Sequence, residues 1–228
     1  MKLINYGHAA FEIQTKQANV LIDPFLENGM TSKKVEDMKD IQYILVTHGH
    51  LDHIGSTIEI AEKTDSTIVC NAELSFYFAG LGLKTHSMHI GGKAHFNFGN
   101  VKMTPALHGS PIRIGDKNYY GGNPAGFVIT ADGKKIYHAG DTGLSMEMML
   151  LKDLEIDIAI LPIGGNFTMD IEDAVKAVKM IQPKAVIPMH YNTFPIIQSN
   201  PEYFKKLVEA LDFKVEVMIL NVDESMTL

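Results

Sequence analysis

The chain has 228 residues, 46% of them apolar and 21% charged, which is enough apolar side chain for a sizeable folded core. A formal net charge of −7 disfavours nucleic acid as the ligand, because phosphate binding calls for clustered Lys and Arg. The single cysteine, Cys70, excludes an intramolecular disulfide, and no apolar run approaches the roughly 20 residues of a membrane-spanning helix.

Met1-Lys2-Leu3-Ile4-Asn5-Tyr6-Gly7-His8 contains no long apolar segment of the signal-peptide type, so a cytoplasmic location is the expectation. Ala9–Thr15 and Ala18–Ile22 read as two strands around a polar turn. Tyr43-Ile44-Leu45-Val46-Thr47 is an apolar run of strand length. The spacing of Ile54, Ile58 and Ala61 predicts a helix over Ile54–Lys63. Thr67–Cys70 predicts a strand, with Cys70 as a buried thiol, and Ala72–Ala79 a helix. Gly126–Thr130 and Lys135–His138 flank Asp132-Gly133, a strong hairpin signal. Met146, Met148 and Met149 read as helix packing. Ile156–Leu161 is a strand that ends at Pro162. Asp170 is the expected N-cap of a helix that carries Ile171, Ala174, Val175, Val178 and Ile181 and stops at Pro183. Ala185–Ile187 is the next strand. Ser199-Asn200-Pro201-Glu202 reads as a capping box opening a helix to about Leu211, and Phe213–Val222 as the last strand.

No low-complexity stretch or Pro/Ser-rich linker divides the chain, so residues 1–228 are expected to form one domain. Antiparallel hairpins fill the first half and strand–helix units the second. That mixture suits an α/β fold with two mixed sheets and helices outside, a four-layer α/β/β/α sandwich. A doubly wound parallel sheet is the alternative, but it lacks a G-x-G-x-x-G loop after its first strand.

The most telling run is His48-Gly49-His50-Leu51-Asp52-His53, directly after Tyr43–Thr47. Three imidazoles and a carboxylate in six positions do not make a core segment. Unpartnered burial would cost on the order of 1–3 kcal/mol for each group. Imidazole and carboxylate suit zinc and neighbouring transition metals, and with one cysteine the ligands must be these two types. Alternate residues of an extended segment share a side, so His48 and His50 can meet one metal. Asp52 and His53 lie past the turn and can reach a second. His108, Asp141 and His190 each follow an apolar strand-like segment, and strand ends converge on one edge of a sheet. With the first run they make seven donors, enough for two ions. A solvated histidine-rich loop is the plainer alternative, and a lone strand-end histidine is usually structural.

Four further residues carry two readings each. His8 faces the site as a substrate contact or serves as a structural histidine. His138, three positions before Asp141, supports a ligand by a hydrogen bond or packs in the core. Asn123 donates to a substrate oxygen or makes a turn. Arg113, the one arginine beside nineteen lysines, grips an anionic substrate group or lies idle on the surface. Gly164-Gly165-Asn166 reads as a turn, and His86, His89 and His95 fall in a segment of surface character.

The order H-x-H-x-D-H, a distant His, Gly140-Asp141-Thr142 and a late His resembles the metallo-β-lactamase superfamily over nearly the whole chain. Gly7-His8-Ala9-Ala10-Phe11, Leu161-Pro162-Ile163-Gly164-Gly165 and Met189-His190-Tyr191-Asn192 are similar to a branch of small metal-dependent hydrolases related to the ascorbate-phosphate lactonases. The resemblance implies two divalent ions, zinc first, with manganese or iron as alternatives. It implies that His48, His50 and His108 hold the first ion, that Asp52, His53 and His190 hold the second, and that Asp141 bridges them. Asp52 and Asp141 are thus implied as catalytic. A hydroxide between the ions would attack a carbonyl carbon or a phosphorus, with no Ser or Cys nucleophile. The expected reaction is hydrolysis of a small ester, lactone, amide or related bond. A nuclease or phosphodiesterase is the second reading, and a metal-binding protein without catalysis the third. The oxygen reductases of this fold are disfavoured, since they carry a carboxylate where His50 stands. The expected partner is a small-molecule substrate, with neither nucleic acid nor membrane; a homo-oligomer is compatible with the sequence.

Overall fold

Alternation along the strands decides the layers, because successive side chains leave opposite faces of a sheet. The computed structural model describes residues 1–228. Its first strands are β1 (Lys2–Asn5), β2 (Phe11–Gln14), β3 (Asn19–Ile22), β4 (Tyr43–Leu45), β5 (Thr67–Asn71) and β6 (Thr85–Met88). Leu3, Phe11, Ile13, Val20, Ile22, Leu45 and Val69 point to one side, into the larger apolar core. Ile4, Leu21, Ile44, Ile68 and Cys70 point to the other. There they pack with Ile60, Ala61, Leu74 and Phe78 from α2 (Thr57–Thr64) and α3 (Ala72–Gly80), which follow the single-turn α1 (Leu51–Ile54).

The second sheet is built from β7 (Lys93–Phe96), β8 (Gly99–Pro105), β11 (Ala125–Ala131), β12 (Lys134–His138), β13 (Ile158–Pro162), β14 (Ala185–Met189) and β15 (Glu216–Val217). Between β8 and β11 stands a separate hairpin of β9 (Pro111–Ile114) and β10 (Lys117–Tyr120). Val101, Met103, Phe127, Ile129 and Ile136 meet the first sheet in the larger core. The same core continues through Ala174 and Val178 of α4 (Ile171–Ile181) and Phe204 and Val208 of α5 (Pro201–Glu209). A last strand, β16 (Ser225–Thr227), returns to the first sheet, whose order is β16-β1-β2-β3-β4-β5-β6, against β15-β14-β13-β12-β11-β8-β7 in the second. The result is the expected four-layer α/β/β/α sandwich. Strands β3 to β6 run parallel, as do β12 to β15, so each sheet sends several strand ends to a common edge.

Local expectations differ from the structure at five places. The helix expected over Ile54–Lys63 is broken: Gly55, at φ +45°, separates α1 from α2. A Cβ there would lie 2.4 Å from the Pro24 carbonyl oxygen, so the backbone approach requires glycine. The cap of α5 is Asn200, which accepts from the Glu202 and Tyr203 N–H groups, with Pro201 opening the helix. Phe213–Val222 is a strand only at β15, and β16 supplies the remaining edge. Met146–Leu154 forms a 3-10 helix in which Met148 is buried but Met146 and Met149 are exposed. β6 and β7, which carry His86 and His95, are strands that their surface character concealed. No helix is long and apolar enough to cross a membrane.

Candidate metal centre

The edge of the sandwich collects side chains from both sheets. The β1–β2 turn brings His8, the end of β3 brings Asp23, and the segment after β4 brings His48, His50, Asp52 and His53. From the second sheet come His108 after β8, Asp141 after β12 and His190 after β14. His48 Nε2 lies 2.8 Å from His50 Nδ1, which lies 3.2 Å from His108 Nε2. Beside this trio, donor atoms of His8, Asp52, His53 and His190 all lie within 4.8 Å of one another. Asp141 sits between the groups: Oδ1 is 3.2 Å from His53 Nε2, and Oδ2 is 2.9 Å from His190 Nε2 and 3.5 Å from His108 Nε2.

These contacts do not satisfy the atoms that make them. His53 Nε2, Asp141 Oδ1 and both ring nitrogens of His190 are buried without a hydrogen-bond partner. Leaving a buried polar group so costs about 1–3 kcal/mol. Nitrogen and carboxylate atoms aimed at one another across about 3 Å are the donor set a divalent ion takes, so the residues fit the metals that the sequence motif implies. Electrostatics points the same way for the His48–His50–His108 trio. Burial lowers the pKa of His48, His50 and His108, keeping their lone pairs free for a cation. Burial alone would also lower His53, but the Asp141 and Asp23 carboxylates outweigh it and hold its pKa high. Asp141 is held well below the usual carboxylate range despite burial, by His53 and His190. His8 is lowered to about 4 by burial, against the pull of Asp52. Asp52 is lowered too, although burial opposes it, by the His8 ring nitrogen and His53.

A domain model described as the β-lactamase superfamily domain matches residues 18–191, and it spans every one of the seven expected ligands. The chain belongs to the metallo-β-lactamase superfamily. Among superfamily members, a UPF0173 metal-dependent hydrolase of Alkaliphilus metalliredigens is 52% identical over 98% of both chains. One from Bacillus cereus is 47% identical over the full length of both. The solved structure of Igni18, a metallo hydrolase from the hyperthermophilic archaeon Ignicoccus hospitalis, superposes with a TM-score of 0.90 at 36% identity, covering 99% of this chain and 97% of that one.

Within this superfamily architecture the remaining candidates separate. His8 joins the cluster but has no exposed side-chain surface. His138 is buried: its Nε2–H donates to the Ala9 carbonyl, and its Nδ1 accepts from the Gly140 N–H, which props the turn that carries Asp141. Arg113 is exposed on the β9–β10 hairpin and donates to the Gly115 carbonyl. Asn123 lies in the wall beyond His108, beside Tyr120. Neither of these two belongs to the convergent cluster. The sequence reading missed Asp23. Its Oδ2 accepts from His53 Nδ1 at 2.7 Å, which fixes the hydrogen on Nδ1 and turns Nε2 towards the centre. Thr47 was missed too; its hydroxyl bridges Asp23 and His48 Nδ1. The available signal was Leu21-Ile22-Asp23-Pro24, a carboxylate just past an apolar strand.

Proposed function

We propose that the protein hydrolyses an ester, lactone, amide or related bond of a small molecule with two divalent ions, zinc first and manganese or iron as alternatives. The observation that carries this is the set of buried, unpartnered donor atoms on His53, Asp141 and His190 beside the His48–His50–His108 trio. His48, His50 and His108 would hold one ion, Asp52, His53 and His190 the other, and Asp141 both. When bound, such ions lower the pKa of a shared water and so supply hydroxide near neutral pH. The protein's own part is geometric. Asp23 and Thr47 lock the imidazoles of His53 and His48 in one orientation. A cavity of about 280 Å³ opens on the centre, with His50, Asp52, His108, Asp141 and His190 on its floor and Phe167 and Phe194 on its walls. A polar floor under two phenyl rings suits a small substrate with an apolar body. The relatives named metal-dependent hydrolases support the reaction class.

The test is elemental analysis of protein purified without chelator, followed by assays on lactones, thioesters, β-lactams and phosphodiesters with and without metal. Two equivalents per chain and chelator-sensitive hydrolysis are expected. Fewer than one equivalent after reconstitution with zinc, manganese and iron would defeat the reading. Asp141→Ala should lower both occupancies, because a bridging carboxylate partly neutralises two nearby cations. His190→Ala should lower mainly one. An Asp141→Ala protein with two ions and near-normal activity would assign the bridge to another carboxylate.

A further inference from the structure

Seven side chains suffice to hold two ions, yet the structure places an eighth donor-type group among them. The His8 side chain is fully buried, with Nε2 3.2 Å from Asp52 Oδ2 and Nδ1 2.9 Å from Thr193 Oγ1. A neutral imidazole has one N–H, and the nitrogen that carries it decides what His8 does. Asp52 decides it, because a carboxylate only accepts, and Thr193 is compatible with the result. The single hydroxyl hydrogen of Thr193 has two acceptors in reach, His8 Nδ1 at 2.9 Å and the Met30 sulfur at 3.4 Å. A thioether is a weak acceptor, so the imidazole lone pair takes the hydrogen. Nδ1 is then bare and Nε2 carries the hydrogen, which it donates to Asp52 Oδ2. The opposite tautomer would set a bare nitrogen against a carboxylate oxygen at 3.2 Å.

The ring has little freedom to do anything else. It meets Phe25 and Phe194 edge-on at 5.7 and 5.6 Å and lies 4.0 Å from the His190 ring. The His8 carbonyl accepts from the His190 N–H at 2.8 Å, and both residues sit at φ +55°. Asp52, in contrast, stands on the first turn of α1 with 30% of its side chain exposed. Without a partner, a carboxylate in that position samples several rotamers, and each costs a bound ion some of its preorganisation. We propose that His8 is a positioning residue for the second ion: its Nε2–H, oriented by Thr193, pins Asp52 Oδ2 and leaves Oδ1 for the metal. The inference rests on the two-ion reading given above, and it assigns His8 to the metal centre rather than to substrate.

Two variants separate the contact from the fold. Asn adopts positive φ readily, so His8→Asn preserves the backbone; its short amide reaches Thr193 but not Asp52. His8→Gln carries an amide N–H out to the place of Nε2. Cobalt(II) binding, followed by its visible absorption and by competition with a chelator, reads the two sites in sequence without recourse to activity. His8→Asn should weaken the second ion by about 10–100-fold and leave the first unchanged. His8→Gln should recover most of the loss, and Thr193→Val should show a smaller loss than His8→Asn. Circular dichroism on each variant confirms the fold. If His8→Asn binds two ions as the parent does, His8 does not position Asp52. If His8→Asn and His8→Gln are equally poor, His8 is itself a ligand, and the positioning role is overturned. A parent protein that never exceeds one ion defeats the two-ion reading, and this inference falls with it.

Discussion

Asp23 concentrates three hydrogen bonds on one fully buried carboxylate. The Thr47 N–H and hydroxyl donate at 2.8 and 2.6 Å, and His53 Nδ1 donates at 2.7 Å. The carboxylate therefore fixes the tautomer of a proposed ligand and the loop that starts the metal-binding run. Asp23→Asn keeps the size and the acceptor for the Thr47 N–H, and Asn tolerates the observed φ of +43°. It replaces the charged acceptor facing His53 with a neutral amide. Metal affinity should fall by about 10–100-fold with the fold retained, as measured by competition with a chelator of known affinity. Unchanged affinity would show that His53 needs no orienting partner. The contrast between Asp23 and its neighbours shows what a sequence can disclose about a site. His48 to His53 are legible because four donor residues crowd one turn, and His108, Asp141 and His190 because each ends an apolar segment. Asp23 is a solitary Asp before a proline, the composition of an ordinary turn, and its partner His53 lies 30 residues away. The partners of His8, itself a candidate from the sequence, are hidden for the same reason: its contacts with Asp52 and Thr193 span 44 and 185 residues.

Helix α1 is one turn long, and its length is set by tertiary approach rather than by helical preference. Ile54, Ile58 and Ala61 keep helical spacing across the break, so the sequence alone reads as continuous. Gly55 ends α1 at φ +45° and ψ −128°, a region open almost only to glycine, with the Pro24 carbonyl against its α-carbon. Gly55→Ala should cost about 2–3 kcal/mol from the strained backbone, and the clash with Pro24 adds to it. Since α1 carries Asp52 and His53, thermal denaturation and metal affinity should fall together. A variant as stable as the parent would mean that the Pro24 segment yields freely. Helix α4, by comparison, is legible end to end. Its Asp170 cap, its apolar face and Pro183 beyond its C-terminus are all local signals. Most strands that escape notice, β6, β7, β9, β10 and β16, have mostly exposed or half-buried residues, so their alternation carries little hydrophobic contrast, whereas β1 is a buried four-residue segment too short to show a period.

At the scale of the molecule the metal centre is a seam between two sheets. The general architecture follows from chain order: antiparallel hairpins first, strand–helix units later, with apolar faces that need covering on both sides. The crossing of the C-terminus does not follow, because β15 ends the second sheet and β16 returns to pair with β1. At the opposite type of boundary, the open edge, His8, Asp23 and the His48–His53 run belong to the first sheet, and His108, Asp141 and His190 to the second. The His8 carbonyl and His190 N–H already join the two sheets there, as do the Ala125 N–H with the Thr47 carbonyl and His138 with the Ala9 carbonyl. Ions held by donors from both sides would add cross-sheet bonds that the unfolded chain lacks. Binding to the native state alone stabilises it by RT ln(1 + [L]/Kd), about 2.7 kcal/mol for each ion at a free concentration 100 times Kd. For a chain of this length each kcal/mol moves Tm by about 2–4 °C, so removing one ion at that excess should lower Tm by about 5–10 °C. Calorimetry on chelated and metal-reconstituted protein checks the shift. Its dependence on free metal checks the origin, since each tenfold rise should add about 1.4 kcal/mol for each site. A Tm indifferent to metal would place any bound ions outside the shared native site. A rise confined to one ion would mean that only one of the two donor groups closes the seam.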